Sequence, residues 1–274
     1  MNASSQLRLQ ARPPYLTLAL IALQRAVAYR MTLFFNLATG LIWVVVLYYL
    51  WRTVYASTTQ MGDFDWQAMR TYIVVSYAVN SLLSYGSVSR MTWYVRTGQV
   101  ATELLRPLDY LFMQLAQSVG AAVIEGCLGS AIALLLGIFL LHISPPASLL
   151  AALCFIVSVG LGYLIKFLVS FMAALLCFWT MEGQGIIWGQ IAVVNLLSGS
   201  LIPLNLLPAW LQTILLALPF QGILFTPVSI YLGRVQGAGL LWALATQIFW
   251  VIILWLLAQL LWRPATRALE FQGG

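Results

Sequence analysis

Apolar runs fill most of the chain, and polar residues collect in the breaks between them. The first long run covers roughly residues 31–51 and is followed by a polar stretch with Arg52, Asp63, Asp65 and Arg70. A weaker run, diluted by Asn80 and several serines, spans about 72–88; further runs cover about 119–141, 149–179, 186–201 and 240–262. A bilayer-crossing helix needs about 20 predominantly apolar residues, so the pattern predicts six transmembrane helices. The 149–179 run is too long for one straight span at about 1.5 Å per residue, and "MEGQG" breaks the chain after it.

Two apolar stretches do not fit the simple span. Near the start, residues 15–23 are flanked by Arg8, Arg12, Arg25 and Arg30. With Ala26-Val27-Ala28 they imitate a secretory signal and its cleavage site. Gln24 and Arg25 interrupt the run directly before that site, which favours a retained amphipathic helix lying in the membrane interface. Residues 202–234 are apolar yet hold Pro203, Pro208, Pro219 and Pro227. The prolines are too close for one span and the stretch too apolar for a free loop. Two short helices are expected, roughly Pro208–Leu218 and Phe220–Tyr231, dipping back into the outer leaflet. Non-helical backbone at that depth must be buried in protein or line a cavity. A packing cap and an outer gate, carried by Pro203, Pro208, Trp210, Pro219, Phe220 and Pro227, are both open.

Composition supports the membrane reading. Of 274 residues 62% are hydrophobic and 7% charged, with mean hydropathy +0.93. Soluble domains carry about a quarter charged residues, so lipid must solvate part of this surface. The net charge of +6 is not a nucleic-acid footprint, because the cations flank apolar runs rather than cluster on a soluble face. With six spans both termini share a side. That side holds nine cations (Arg8, Arg12, Arg25, Arg30, Arg90, Arg96, Arg106, Arg263, Arg267) against three on the other (Arg52, Arg70, Arg234). The bias places the termini and the 89–112 loop in the cytoplasm. The fold class expected is all-α and integral to the membrane, one transmembrane domain over 1–274 with an arm and interfacial helix at 1–30, a cytoplasmic loop at 89–112 and a re-entrant outer segment at 202–234. Cys127, Cys154 and Cys177 sit inside apolar runs and read as packing residues.

The 89–112 loop is unusual. Five charges (Arg90, Arg96, Glu103, Arg106, Asp109) fall within twenty residues. Val100, Leu104 and Leu108 recur every four, which gives a short helix one apolar stripe. Pro107 disfavours helix at Arg106 and suits a new first turn, so the short helix should stop near Leu105 and the third span start near Pro107. A solvated connector accounts for the arginines; a docking surface accounts for the apolar spacing as well.

"RTGQVATELLRPLDYLF" resembles the loop of bacterial ABC-2 family transporter permeases, matching at Arg96, Gly98, Leu104, Leu105, Arg106 and Pro107. "LLSGSLIPLNLLPAWLQTILLALPFQGILFTPVSIYLG" is similar to that family's segment before the last span, at Gly199, Pro203, Pro208, Trp210, Pro219, Phe220, Pro227 and Gly233. "AYR" at 28–30 and "FW" at 178–179 also fit, so the likeness runs along nearly the whole chain. Ala101 departs from it, standing where an acidic residue is expected. The resemblance implies the permease subunit of an ATP-driven exporter in the bacterial inner membrane, pairing with a second permease subunit, identical or paralogous, and resting on cytoplasmic ABC ATPase subunits. It implies a coupling helix in this loop, formed by Arg96, Gly98, Val100, Glu103, Leu104, Leu105, Arg106 and Pro107. Glu182, beside Gly183 and Gly185, either adds a second contact or caps a turn.

The motor is expected elsewhere. A phosphate-binding loop needs Gly-Lys followed by Ser or Thr, and the sole lysine, Lys166, lies in "YLIKF". The expectation is therefore no cofactor on this chain, with ATP and Mg on the partner. His142 is the only histidine and has no acidic or cysteine neighbour in its turn, so no metal site is expected. A polytopic enzyme acting on lipid-linked substrates is the alternative; its candidate acids Asp63 and Asp65 sit away from Glu125. Glu125 lies 16 residues from Leu141 and Lys166 lies 17 from Leu149. Each is thus about 24–25 Å below the same turn. A buried ion pair and a snorkelling lysine are both open. Trp43, Trp51, Trp66, Trp93, Trp210 and Trp262 are expected in headgroup belts.

Overall fold

The computed structural model describes residues 13–28, 30–83, 90–94, 97–180 and 183–270; within them the side chains of 25–28, 30, 32, 33, 101, 125 and 266–270 are not described. The chain begins with α1 (Pro14–Ala28) and α2 (Arg30–Tyr55), followed by a two-stranded hairpin, β1 (Gln60–Met61) and β2 (Phe64–Asp65). Then come α3 (Trp66–Leu82), α4 (Val100–Leu104), α5 (Tyr110–Leu141), α6 (Leu149–Leu175), α7 (Cys177–Thr180) and α8 (Gln184–Leu197). Last are α9 (Ala209–Ala217), α10 (Phe225–Tyr231) and α11 (Ala238–Glu270). Short 3-10 turns at Leu204–Leu206 and Pro219–Gly222 punctuate the proline segment.

Among the described residues four stretches are long and apolar enough to cross a bilayer: Phe34–Tyr55, Tyr110–Leu141, Leu149–Thr180 and Ala238–Ala265. The second and fifth expected spans correspond to helices of 17 and 14 residues, below the about 20 that a bilayer crossing needs. For α3 the helical backbone is lost at its cap Leu83 (φ −96°, ψ 53°), and the remainder of that expected span falls outside the described residues. The end of α8 is set by Ser198 and by Gly199, whose φ of +83° cannot continue a helix. The long 149–179 run does break, at Leu176 between α6 and α7.

Helix ends carry ordinary caps. Asp65, Asp109 and Ser148 each accept a hydrogen bond from the backbone N–H three residues on (Ala68 2.8 Å, Phe112 3.0 Å, Ala151 3.0 Å), which satisfies a donor the helix itself leaves open. His142 closes α5 in the left-handed region at φ 49°.

Glycine allows the helices to approach closely. A side chain at Gly120 would collide with the Ala19 carbonyl of α1, and one at Gly126 would stand 2.7 Å from the Leu82 Cα of α3. So α1 and α3 both lie along α5, the small-residue packing that membrane helices use. Ser130 donates to the Ala78 carbonyl at 2.6 Å and closes the same seam.

The bundle has two distinct ends. At one, Asp109 N–H meets the Tyr15 hydroxyl at 3.3 Å, and the Tyr110 ring stacks on Trp262 of α11 at 4.6 Å. The start of α1, the 97–109 segment and the C-terminal part of α11 therefore share that end. At the other, Gln67 donates to Ser144 at 3.1 Å, Tyr231 to the Ser144 carbonyl at 3.1 Å, and Arg234 to the Asp63 carbonyl at 2.7 Å. The 32 residues of α5 join the two ends. Two of the expected belt tryptophans turn inward instead: Trp51 is buried, and Trp262 packs between Tyr110, Phe171 and Phe178. Neighbouring aromatic faces were available to both, and stacking competes with headgroup contact.

Candidate functional site

The 97–109 segment is built as an anchored foot. Gly98 takes φ +71°, a turn conformation open mainly to glycine, and leads into α4. This helix has five residues and ends at Leu104, with Leu105 as its cap. Arg106 N–H then donates to the Glu103 carbonyl at 3.2 Å and Leu108 N–H to the Arg106 carbonyl at 2.8 Å. The chain therefore turns rather than continuing as helix. The third long helix starts at Tyr110, three residues later than Pro107 suggests, because Asp109 rather than the proline provides its cap.

The apolar stripe divides. Val100 is 1% exposed and packs into the protein, whereas Leu104 and Leu105 are 37% and 84% exposed. Leu108 is half-buried, and Arg106 and Pro107 are exposed. Four-residue spacing aligns side chains on one face but does not say which part of the face the body already covers. Glu103, expected on the outer surface, points inward: it is 8% exposed and accepts a hydrogen bond from Gln114 Nε2 of α5 at 3.0 Å. Burial pushes its carboxyl pKa up, with Arg106 the strongest opposing influence. Behind it a cavity of 320 Å³ is lined by Leu18 and Ile21 of α1 together with Arg90, Tyr94, Arg106 and Gln117. Arg90 reaches Gln117 Oε1 at 3.4 Å. The result is a polar hinge holding α4 to α1 and α5, with a small apolar and cationic surface (Leu104, Leu105, Arg106, Pro107) left facing outward. Arg96 and Glu182 lie outside the described residues.

At the opposite end, residues 198–234 form a layered cap. Tyr72 donates to the Gly199 carbonyl at 2.5 Å, Phe225 N–H to the Ser198 carbonyl at 3.1 Å, and Ala147 N–H to the Tyr231 carbonyl at 3.2 Å. The prolines start elements rather than break them. Pro208 precedes α9, Pro219 opens the second 3-10 turn, and Pro227 sits in the first turn of α10, where a missing N–H costs nothing. Pro203, Pro219 and Pro227 are buried, Phe220 is half-buried, and Pro208 and Trp210 are exposed. Arg234 stacks over the Phe64 ring at 3.8 Å and so ties the hairpin to the cap.

Two polar side chains inside the bundle find partners on distant helices. Gln247 of α11 is buried; it accepts from Ser158 at 2.9 Å and donates to the carbonyls of Ser158 (3.1 Å) and Gly222 (2.7 Å). Lys166 is 3% exposed and donates to Asn80 Oδ1 at 3.1 Å, so it does not snorkel. The Glu125 side chain, its expected partner, lies outside the described side chains. Asn80 and Gln247 were not among the expected partners; polar residues within apolar runs were the available signal. Asp65 caps α3 and Asp63 lies in the hairpin turn, so neither joins an acidic constellation.

The family model for ABC-2 family transporter proteins matches residues 41–273. No curated protein matches the chain.

Proposed function

The chain belongs to the ABC-2 transporter family, whose members form the membrane permease of an ABC transporter, and from that premise we propose that it is the permease half of an exporter driven through its 97–108 foot. In this reading two permease subunits, identical or paralogous, pair to enclose the pathway. Each rests on a separate cytoplasmic ATPase, which holds ATP and Mg. The termini and the foot face the cytoplasm of a bacterial inner membrane, and Glu182 adds a second contact.

The observation that carries the reading is the division of the foot. Glu103 fastens it to α5 and Asp109 meets Tyr15 of α1, with Val100 buried beneath, while Leu104, Leu105, Arg106 and Pro107 are exposed at the end shared with α1 and the C-terminal part of α11. A push on the exposed half is delivered to the N-terminus of α5 through Asp109, and α5 carries it about 48 Å toward the cap at about 1.5 Å per residue. The cap (Pro203, Pro208, Trp210, Pro219, Phe220, Pro227) acts as the outer gate, parting when the two halves separate. Glu125 and Lys166 act as an intramembrane charge pair that fixes α5 against α6.

The test is co-purification with the ATPase and ATP hydrolysis by the complex. Leu105→Asp removes no internal packing, because the side chain is 84% exposed. It should leave the permease folded, release the ATPase and reduce stimulated hydrolysis by about tenfold or more, the effect of losing a central contact worth roughly 1.4 kcal/mol. Undiminished association in Leu105→Asp and in Leu104→Asp would refute the foot.

A further inference from the structure

A cavity of 770 Å³ opens between the cap and α11, bounded by the end of α9, the second 3-10 turn, α10 and the first half of α11. Its volume falls within the range of about 300–1,000 Å³ usual for ligand sites. The walls are largely apolar, with Phe225, Trp242, Phe249 and Trp250 among them and no Asp, Glu, Lys, Arg or His. Trp242 and Phe249 are 77% and 55% exposed, so the mouth lies on an exposed apolar face of α11, inside the stretch Ala238–Ala265 that is long enough to cross a bilayer. A water-soluble ligand would have to cross hydrocarbon to reach it.

Two hydroxyls give the cavity chemistry. Thr226 and Ser229 line it, one helical turn apart on α10, and are 7% and 4% exposed. Hydroxyls in apolar helices ordinarily donate to the carbonyl four residues back, as Thr53, Thr213 and Thr246 do here. Thr226 makes no such bond; the Gly222 carbonyl four residues back accepts from Gln247. Neither Thr226 nor Ser229 makes a side-chain hydrogen bond among the described residues. Two hydroxyls on largely buried residues, both opening onto an uncharged apolar cleft, match a neutral oxygen brought in by the occupant.

We propose that this cavity binds a membrane diacyl glycerolipid. One acyl chain lies along the Trp242–Trp250 wall, and its ester carbonyl accepts from Thr226 and Ser229. The absence of charged lining residues keeps a phosphate or ammonium headgroup outside. The proposal rests on the chain's membrane embedding and not on the coupling foot, so either can fail without the other.

The experiment uses the full chain in phosphatidylcholine nanodiscs containing a lipid with a diazirine on its acyl chain. Irradiation and peptide mapping locate the adducts. They should concentrate on the peptides holding residues 221–229 and 242–250 rather than spread over the exposed faces of α5 and α6. Ala245→Trp fills the mouth from an exposed position and therefore leaves the core intact; it should lower cavity adducts severalfold while leaving those on α6 unchanged. Thr226→Val with Ser229→Ala should also lower them severalfold, with unchanged size-exclusion behaviour. Adducts spread evenly along α11, or unchanged in either variant, overturn the site.

Discussion

At Glu103 a carboxyl is held inside the foot, and burial raises its pKa above the ordinary value of 4.5. Between 4.5 and the raised value the folded chain keeps a proton that the unfolded chain has lost. The contribution of this group to stability is therefore fullest below 4.5 and falls as pH rises through the folded value. The protection factors of the 97–108 amides, with the intrinsic base-catalysed pH dependence of exchange divided out, should rise as pH drops from neutral toward 4.5, and Glu103→Gln should remove that rise. Gln247 makes a different prediction. Its amide bridges α6, the cap and α11, so Gln247→Leu strands the Gly222 carbonyl and the Ser158 hydroxyl. Unfolding in detergent should show a loss of about 1–2 kcal/mol. That Gln247 and Glu103 are polar islands was legible in the sequence; their partners were not, since Gln114, Ser158 and Gly222 are brought to them only by helix packing.

Among the elements, the seam between α6 and the cap depends on an absent side chain. A β-carbon at Gly162 would stand 2.8 Å from the Gly222 carbonyl. Gly162→Leu should push the second 3-10 turn off α6 and cost about 1–3 kcal/mol, the range for overpacking. A fall in thermal midpoint, with α-helical content retained, measures it. The proline segment was readable in part: α9 falls within one residue of its expected range, but of the second expected helix only Phe225–Tyr231 is α-helical, because its start is taken by the 3-10 turn Pro219–Gly222. The foot was readable only in part. Its stop near Leu105 follows from local propensity, but the inward turn of Val100 and Glu103 depends on α1 and α5 offering an apolar pocket and an amide.

For the whole molecule, the consequential feature is that the start of α1, the foot and the C-terminal part of α11 share one end. If that end faces the cytoplasm, Leu105→Cys should react with an impermeant maleimide only in inside-out vesicles and Thr59→Cys, beside the hairpin, only in right-side-out ones; the opposite pattern would invert the proposed orientation. The count of spans depends on the same architecture. α3 and α8 are too short to be recognised as spans by length alone, yet α3 lies against α5 through Gly126 and Ser130.

The sequence by itself determined the solvent and the class of fold. Apolar runs of bilayer length with so few charges leave α-helix as the structure that satisfies every backbone group locally, and the Leu-Leu-Arg-Pro loop and the ordered prolines carried the family. Hydrophobic spacing reports only that side chains share a face. Which face meets protein, which meets lipid, and which donors remain without acceptors are non-local facts. The tertiary structure alone decided that Val100 and Glu103 turn inward from the foot, that Lys166 meets Asn80, and that Thr226 and Ser229 open onto an apolar cleft. Each depends on residues far apart in the chain being packed against one another.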